Sequence, residues 1–597
     1  MNQKVWNPAV LAANTKLRTD TAVPGLQMAP TALKIISHME LGKPHELPKP
    51  GRNLARGTNC SGGRGDSKKQ MPACNRQDRI DNPTGNGADL LRVFYGKDGR
   101  LPMNVLHSIT SHDEKHTDKD LATQWNSIHW KDARAHVNRL QTRIAKAVVE
   151  RKWHLVKRLQ YLLTHSHYAK QLAVRVVTQK RGKRTPGVDG ELWTTASDKM
   201  QAVSRLTDKQ YSAHPLKRIF IPKPGTDTKR PLSIPTMIDR AMQALYALAL
   251  QPVAETLADK RSFGFRLFRS AQDASVYAFT CLSQKNSAEW VLEGDIKGCF
   301  DNISHEWLKN NVLIDRTILT QFLKAGFVYD QKLYPTDLGT PQGGVISPLL
   351  ANLTLDGIES VLAQRYPKKK VYFIRYADDF LVTAPTKEMA EEIREVIREF
   401  LTVRGLELSE KKTVITHIAD GFDFLGWNFR KYQGTLLIKP SRKSIGRITE
   451  RIRDILHKAA AWTQDELIAA LNTVVVGWAN YHRHIVAADT FGKLDSIVWN
   501  MLWKWAKRRH PEKGHQWIAK RYWHTEGNRK WVFKTGTNRL RKFSDTKIRR
   551  HSQVRLDANP FLDRDYFLGR INALSVLTLE SQTKLSFFSY GRPVTGL

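Results

Sequence analysis

The chain has 597 residues and carries 95 Lys and Arg against 57 Asp and Glu, a formal net charge of +38. A surplus of this size predicts a polyanionic partner, for which nucleic acid is the obvious choice. No run approaches the 18 apolar residues of a membrane span, and the four cysteines (60, 74, 281 and 299) lack zinc-like spacing. We therefore expect no membrane segment, no structural zinc and a reducing compartment.

Residues 1–118 are the least patterned part of the chain. The stretch 51–89 is rich in Gly, Asn, Arg, Ser and Pro and has few residues able to build a core. We expect 1–118 to be a mostly disordered extension. Its first residues lack the apolar segment of a secretion signal, but their few acids keep an organellar transit peptide as an alternative.

Helical spacing of apolar residues begins near Trp125. One helix is predicted from Val137, Leu140, Ile144 and Val148, and another from Leu155, Leu159 and Leu162. The opposite faces are basic and nearly free of acids. Such faces are typical either of solvated surface or of contact with a nucleic-acid backbone.

A strand, a turn and a second strand are predicted next, over Leu216–Gly225 and Lys229–Leu232. Lys223 and Arg230 lie on either side of the turn and could both face one triphosphate, although exposed hairpin cations are usually only solvated. The following segment, Asp239–Leu257, has the composition of a buried helix.

Two acidic sites follow, each at the end of an apolar run. Tyr376–Asp379 lies between Val371–Ile374 and Phe380–Val382, which predicts a β-hairpin with the acidic pair at its tip. Trp290–Leu292 predicts a strand that leads to Asp295. Carboxylates brought together by two strands repel each other unless cations lie between them. Two divalent metals about 3.5–4 Å apart would resolve this, and they suit displacement at phosphorus, so we predict a nucleotidyltransferase.

The C-terminal third is predicted to be helical and basic. Helices are expected at 464–483 and 491–508, preceded by an isoleucine stripe at 445, 448, 452 and 455. Residues 501–550 contain 16 Lys or Arg against 3 Asp or Glu, with five interleaved tryptophans at 503, 505, 517, 523 and 531. Cations and stacking rings indicate a nucleic-acid surface, although we expect most of these tryptophans to be core residues.

Seven ordered blocks together resemble reverse transcriptases of the group II intron type: Thr185–Gly190, Arg230–Thr236, Ser262–Arg269, Asp295–Asn302, Gly339–Asn352, Tyr376–Phe380 and Gly421–Trp427. The likeness runs from about Trp125 to Trp523, and the Gly477–His484 block resembles the thumb, or maturase, region of intron-encoded proteins. The resemblance implies an α+β right-hand polymerase with fingers, an antiparallel palm sheet, a helical thumb and a basic C-terminal DNA-binding region. The expected divisions are an extension (1–118), fingers and palm (119–435), thumb (436–515), DNA-binding region (516–570) and an unpatterned tail (571–597).

The resemblance also implies roles for individual residues. Asp295, Asp378 and Asp379 would be catalytic and would hold two Mg²⁺ ions, with the backbone carbonyl of Ile296 as a further ligand. The predicted nucleotide-binding residues are Lys223, Arg230, Phe300 and Gln342, where Phe300 would select deoxynucleotides by blocking a 2′-hydroxyl. The predicted nucleic-acid-binding residues are Arg447, Arg451, Arg483, Lys504, Arg508, Arg509 and Arg521.

The implied function is RNA-directed DNA polymerisation combined with binding of a group II intron RNA for splicing, reverse splicing and target-primed copying. The implied partners are that intron RNA, target DNA and deoxynucleoside triphosphates, with a homodimer as an alternative. A bacterial cytoplasm, associated with the nucleoid, is expected, and an organelle is the alternative location. Many relatives continue into a His-Asn-His endonuclease, which we expect to be missing here because no cysteine follows Cys299.

Two other functions fit part of the pattern. A splicing factor with a vestigial polymerase site would use only the RNA-binding surfaces, but the three aspartates argue against it. A retron-type reverse transcriptase would keep the polymerase, but the long region from Ile438 to Trp523 argues against that class.

Overall fold

The computed structural model describes residues 117–222 and 229–579. The extension predicted at 1–118, apart from its last two residues, lies outside the described residues, as does Lys223 at the predicted hairpin turn. None of the described helices is both long enough and apolar enough to cross a bilayer.

The described part is a mixture of helices and strands, which confirms the α+β prediction at that level. The helices are α1 Asp118–Asn126, α2 Trp130–Val149, α3 Trp153–His165, α4 His167–Gln179, α5 Ala196–Arg205, α6 Met237–Leu257, α7 Ala271–Leu282, α8 Cys299–Asn302, α9 His305–Asn311, α10 Arg316–Lys324, α11 Ser347–Leu355, α12 Ile358–Arg365, α13 Lys387–Thr402, α14 Arg442–Lys458, α15 Gln464–His482, α16 Ala488–Arg509, α17 His515–Tyr522 and α18 Arg564–Leu579. The strands are β1 Leu216–Pro222, β2 Lys229–Ile234, β3 Trp290–Asp295, β4 Phe327–Tyr329, β5 Lys332–Tyr334, β6 Phe373–Tyr376, β7 Asp379–Ala384, β8 Val414–His417, β9 Phe422–Phe424, β10 Trp427–Tyr432, β11 Thr435–Pro440, β12 Trp523–Glu526 and β13 Arg529–Phe533. Short 3₁₀ turns lie at Arg181–Arg184 and Phe543–Asp545.

A four-stranded antiparallel sheet, in the order β6-β7-β3-β8, lies at the centre of the described region. Successive side chains of a strand point to opposite faces. Leu292 and Val382 accordingly join one hydrophobic core, whereas Val291 and Leu381 join another. Burial on both faces explains why these strands are nearly uninterrupted apolar runs rather than alternating ones.

The amino-terminal helices pack around α6, which is buried along most of its length. The predicted stripe of α2 is buried as expected, but the stripe predicted for α3 is only partly right, because Leu159 is buried and Leu155 and Leu162 are not. Leu155 and Leu162 are 39% and 46% exposed, whereas Val156, Leu159 and Leu163 face the core. Leu159 has helical spacing both to Leu155 and Leu162 and to Val156 and Leu163. Packing of α3 against α2 and α6 buries the second pair.

The sequence also predicts a short strand at Leu406–Leu408 and a helix that begins at Asn352, and the structure differs at both places. Leu406–Leu408 is not a strand, because only Leu408 makes a single bridge, to Ile296. Asn352 lies inside α11 rather than at the start of a helix. Only Leu408 pairs with Ile296, because the chain turns from Ser409 onward.

The described residues form three further sheets, of four, three and two strands. Their strand orders are β2-β1-β4-β5, β11-β10-β9 and β12-β13, and β1 runs parallel to β4. Strands β10 and β11 lead directly into α14, whose Ile448, Ile452 and Ile455 are buried as predicted. The strands predicted on either side of residues 223–228 are confirmed as β1 and β2.

The basic carboxyl-terminal region is partly buried and partly exposed. Trp505 and Trp523 are buried and Trp503 packs, partly buried, against the same core, which confirms the expectation that most of the five tryptophans are core residues. Trp517 and Trp531 are 41% and 51% exposed. Exposed rings among cations are what a stacking surface requires.

Beyond β13 the chain returns to the amino-terminal half. Thr142 Oγ1 donates to the carbonyl of Phe561, and Arg570 pairs with the buried Asp273 at 2.5 Å. The end of the described chain therefore packs against α2 and α7 instead of projecting as a separate appendage.

Candidate active site

The Tyr376–Asp379 segment forms the predicted hairpin tip, in which β6 ends at Tyr376 and β7 begins at Asp379. Tyr376 pairs with Asp379, which leaves Ala377 and Asp378 as a two-residue turn. Ala377 has φ +59°, a left-handed conformation that favours glycine at this position. The surrounding structure must therefore hold the turn in place.

Residues 261–264 lie directly beneath the turn and provide part of that support. The amide of Phe263 donates to the carbonyl of Arg375 at 2.8 Å, and the amide of Arg375 donates to the carbonyl of Arg261 at 3.0 Å. A Cβ at Gly264 would lie 2.2 Å from the amide nitrogen of Ala377. Only glycine lets this segment approach the turn so closely.

Asp295 is the last residue of β3 and lies directly opposite Asp379 in the antiparallel register with β7. Opposed residues of an antiparallel pair have Cβ atoms about 4.5–5.5 Å apart, so the two carboxylates are within reach of a common cation. The side chain of Lys412 reaches the same place, with its Nζ 2.9 and 3.1 Å from the carboxylate oxygens of Asp295.

The electrostatics show accumulated negative charge at this point. Asp379 keeps an exposed edge, yet its pKa is raised to about 7, first by loss of hydration and then by the neighbouring carboxylates of Asp378 and Asp295. Burial likewise raises the pKa of Asp378, with a further contribution from Asp295. Lys412 opposes both rises. The site would therefore favour a bound cation.

The donor set fits magnesium, because hard divalent cations prefer carboxylate and carbonyl oxygens. The side chains do not close on one point, however. In the described ranges, no group of three or more His, Cys, Asp or Glu side chains is arranged to hold a metal ion. The structure thus brings the three predicted carboxylates to one turn and its facing strand end, with Lys412 as the cation that contacts Asp295.

The predicted nucleotide-binding residues Phe300 and Gln342 belong to two segments that are hydrogen-bonded to each other. Gln342 Nε2 donates to Asp301 at 2.8 Å, and the amide of Thr340 donates to the carbonyl of Phe300 at 2.6 Å. A Cβ at Gly339, which has φ +82°, would lie 2.5 Å from the carbonyl oxygen of Asp301. The loop from Gly339 therefore packs against the α8 turn that carries Phe300.

Arg230 approaches the same site from β2. It is exposed, pairs with Ile221 of β1, and lowers the pKa of Asp378 through its charge. Its predicted counterpart Lys223 lies outside the described residues. Arg230 is therefore an exposed cation whose charge acts on the acidic turn.

Most of the predicted nucleic-acid-binding residues lie on the surface of the carboxyl-terminal helices. Six are exposed: Arg447, Arg451, Lys504, Arg508, Arg509 and Arg521. Arg483 is half-buried, and its carbonyl accepts a hydrogen bond from the amide of Arg549. Arg483 is therefore also a residue that joins two segments of the chain.

Lys412 and Arg375 contact the site, but the sequence analysis did not select either of them. Lys412 lies in a charged stretch, Glu410–Thr413, which by itself is typical of solvated surface. Arg375 interrupts the apolar run that precedes the acidic turn. A charged residue in a run that is expected to be buried needs a partner, and this feature could have identified it.

Three family models match the chain. The N-terminal domain of reverse transcriptase matches residues 125–206, the reverse transcriptase (RNA-dependent DNA polymerase) domain matches 221–429, and the group II intron maturase-specific domain matches 445–523. The second match includes all three aspartates. The third includes α15 and α16.

Individual proteins are similar over shorter or longer parts. Protein YkfC of Escherichia coli is 33% identical over 315 residues, which cover 45% of this chain and 82% of that protein. The group II intron-encoded protein LtrA of Lactococcus lactis is 28% identical over 403 residues, 55% of this chain and 66% of LtrA. A telomerase structure from Candida albicans aligns with 52% of this chain and 65% of that one, with a TM-score of 0.31 and 13% identity.

The chain has a reverse transcriptase domain followed by a maturase-specific domain, and it is similar to intron-encoded proteins. These matches together assign to it reverse transcription and a role in group II intron splicing and mobility. The same domains and relatives confirm the resemblance inferred from the seven sequence blocks. This chain belongs to the family of group II intron-encoded reverse transcriptases and maturases.

Proposed function

We propose that this chain is a catalytically intact member of its family, an RNA-directed DNA polymerase with Asp295, Asp378 and Asp379 as its catalytic residues. The observation that carries the proposal is the register of β3 and β7, which sets Asp295 opposite Asp379 at the acidic turn. Backbone pairing along the whole of β3 fixes this register, and it keeps two carboxylates opposed that would repel each other without a cation.

The three carboxylates and the carbonyl of Ile296 would hold two magnesium ions. When bound, such ions stabilise charge on both the attacking and the leaving oxygen of nucleotide transfer. The chain's own contribution is to fix the carboxylates on adjacent strands and to keep a cationic side chain, Lys412, near Asp295. Catalysis of this kind depends mainly on positioning and charge.

The incoming deoxynucleoside triphosphate would lie beside the acidic turn, against β2 and the Gly339 loop, which are joined by the hydrogen bond from the amide of Ser233 to the carbonyl of Gln342. Arg230, together with Lys223, would bind its phosphates, since a guanidinium suits bidentate phosphate contact. Phe300 would pack against the sugar, where its ring excludes a 2′-hydroxyl. Gln342, held by Asp301, would contact the base or the template.

The architecture corresponds, in this proposal, to a right-hand polymerase. The fingers and palm would extend to about residue 435, with β6-β7-β3-β8 as the palm sheet, and α14–α16 would form the thumb. The basic region after the thumb would bind target DNA. Exposed Trp517 and Trp531 would stack on bases while neighbouring cations bind phosphate.

The intron RNA would be bound by the exposed cations of the thumb helices, largely through shape and phosphate contacts. Arg447 and Arg451 lie on the exposed face of α14, opposite its buried isoleucines. Because such binding releases counterions, affinity for the RNA should fall steeply with salt.

Primer extension on an RNA template with Mg²⁺ and deoxynucleotides tests the polymerase proposal. We expect extension by the wild type and by Asp420→Asn, an exposed carboxylate outside the site, and severe loss in Asp379→Asn. Splicing of the intron that flanks the reading frame should survive in Asp379→Asn. Splicing without extension by the wild-type protein would instead establish a splicing factor with a vestigial site.

A further inference from the structure

A buried charged network lies directly beneath the acidic turn, centred on Arg375, the residue before Tyr376. Arg375 is 0% exposed, so its guanidinium is fully removed from solvent. Its Nη2 atom pairs with Asp356 at 2.5 Å, and its Nη1 atom donates to the side-chain oxygen of Asn352 at 2.9 Å. The same Nη1 atom lies 3.3 Å from the carbonyl oxygen of Ala377.

These contacts join the turn to two other elements of the chain. Asn352 and Asp356 belong to the end of α11, and Asn352 also donates to the carbonyl of Gly264 at 2.9 Å. Gly264 in turn lies against Ala377. Arg375 therefore connects the turn by hydrogen bonds to the residues at the end of α11, and Asn352 extends this network to the Gly264 segment.

Stability alone does not account for a buried arginine at this place. Removing a charge from water is costly, and apolar side chains of similar volume usually stabilise a core at least as well. The network is also incompletely satisfied, because Arg375 Nε and Asp356 Oδ2 have no hydrogen-bond partner in the described part of the chain. What the guanidinium provides is a planar fork that fixes three acceptors at once.

The turn needs such a constraint. Ala377 is held at φ +59°, where an alanine is strained, and the next two residues carry the carboxylates. If the hydrogen bond to the carbonyl of Ala377 were lost, the peptide could relax and move Asp378 and Asp379 relative to Asp295. A displacement of about 1 Å at a catalytic group can lower the rate about 100-fold.

We infer that Arg375 is a positioning residue, which acts through Asn352, Asp356 and the carbonyl of Ala377 to hold the acidic turn in its strained conformation. Through these contacts it sets the position of Asp378 and Asp379 without touching substrate. This inference rests on the proposed polymerase function. It also gives a role to Ser262–Arg269, a block to which the sequence analysis assigned none.

The test compares Arg375→Lys with Arg404→Lys. Lysine keeps the charge beside Asp356 but cannot reach all three acceptors at once. Arg404 is a matched control, because it is also buried and donates to the carbonyls of Thr354 and Phe400, but it makes no contact with the turn. Asn352→Ala removes one acceptor and serves if Arg375→Lys fails to fold.

Two experiments are carried out on each variant. The first measures kcat and KM for the deoxynucleotide on an RNA template. The second measures the affinity for Mn²⁺ alone, from the electron paramagnetic resonance signal of the free ion. We expect Arg375→Lys to lower kcat by about 100-fold, to leave KM nearly unchanged and to weaken Mn²⁺ binding, whereas Arg404→Lys does neither. Equal behaviour of the two lysine variants would overturn the inference. A wild-type protein that extends no primer would count against the proposed function instead, and Mn²⁺ binding would then decide the role of Arg375.

Discussion

The buried histidine of the maturase-specific region should make stability depend on pH. His482 is 0% exposed, accepts a hydrogen bond from Trp427 Nε1 at 2.9 Å on its Nδ1 atom, and contacts Ser444 Oγ at 3.1 Å through Nε2. An imidazole that accepts at Nδ1 must be neutral, with its proton on Nε2. Burial accordingly lowers the pKa of His482 to about 3, with smaller contributions from nearby cationic groups.

The size and sign of the effect follow from this pKa. An unfolded histidine takes up a proton below about pH 6.5, whereas folded His482 stays neutral down to about pH 3, so acid favours the unfolded chain. Stability is fully present above pH 6.5 and is lost as the pH falls. Between pH 7 and pH 5 the loss amounts to about 2 kcal/mol.

The assay is thermal unfolding of the full chain at pH 7 and pH 5, for wild type, His482→Gln and His457→Gln. A glutamine at 482 can accept from Trp427 and donate to Ser444 but does not titrate, so its midpoint should fall less with acid than that of the wild type. His457 is exposed on α14, and its replacement should leave the wild-type pH dependence unchanged. Identical pH dependence in His482→Gln and wild type would refute the assignment of a neutral, hydrogen-bonded His482.

Three further predictions concern the active site and the basic surface. Lys412→Met removes the cation beside Asp295, so the metal-free variant should melt at a lower temperature than the wild type. Added Mg²⁺ should raise its melting temperature by more than it raises that of the wild type. Equal increases would contradict the proposed carboxylate site. Phe300→Val should increase ribonucleotide incorporation with little change in deoxynucleotide KM, and unchanged sugar selectivity would remove Phe300 from the sugar-binding role. Trp531→Ala should weaken binding of single-stranded nucleic acid by about 1–3 kcal/mol in a titration at fixed salt. Trp505 is buried, so Trp505→Ala should mainly lower stability. Equal binding by Trp531→Ala and the wild type would exclude stacking at that ring.

The Gly477–His484 block belongs to the family match and also contributes residues to the core. Its resemblance to a maturase region is confirmed by the family match, yet the side chain of His482 lies in the core rather than on an RNA-binding surface. Trp478 is also buried, and its Nε1 atom donates to Ser444. The block therefore fixes α15 against α14 and β10.

The sequence by itself predicted most of the elements and the family to which the chain belongs. Alternation and helical spacing are local properties, so the acidic hairpin, β3, the helices after Ile438 and the basic surplus were all predictable. Only the tertiary structure decided which face of α3 is buried and which tryptophans are exposed, because neighbouring stripes on one helix are equally apolar. It also decided that Asp295 lies opposite Asp379, and that Lys412 and Arg375 reach the turn. Those contacts join residues far apart in the chain, so they depend on strand register and packing, which local patterns do not encode.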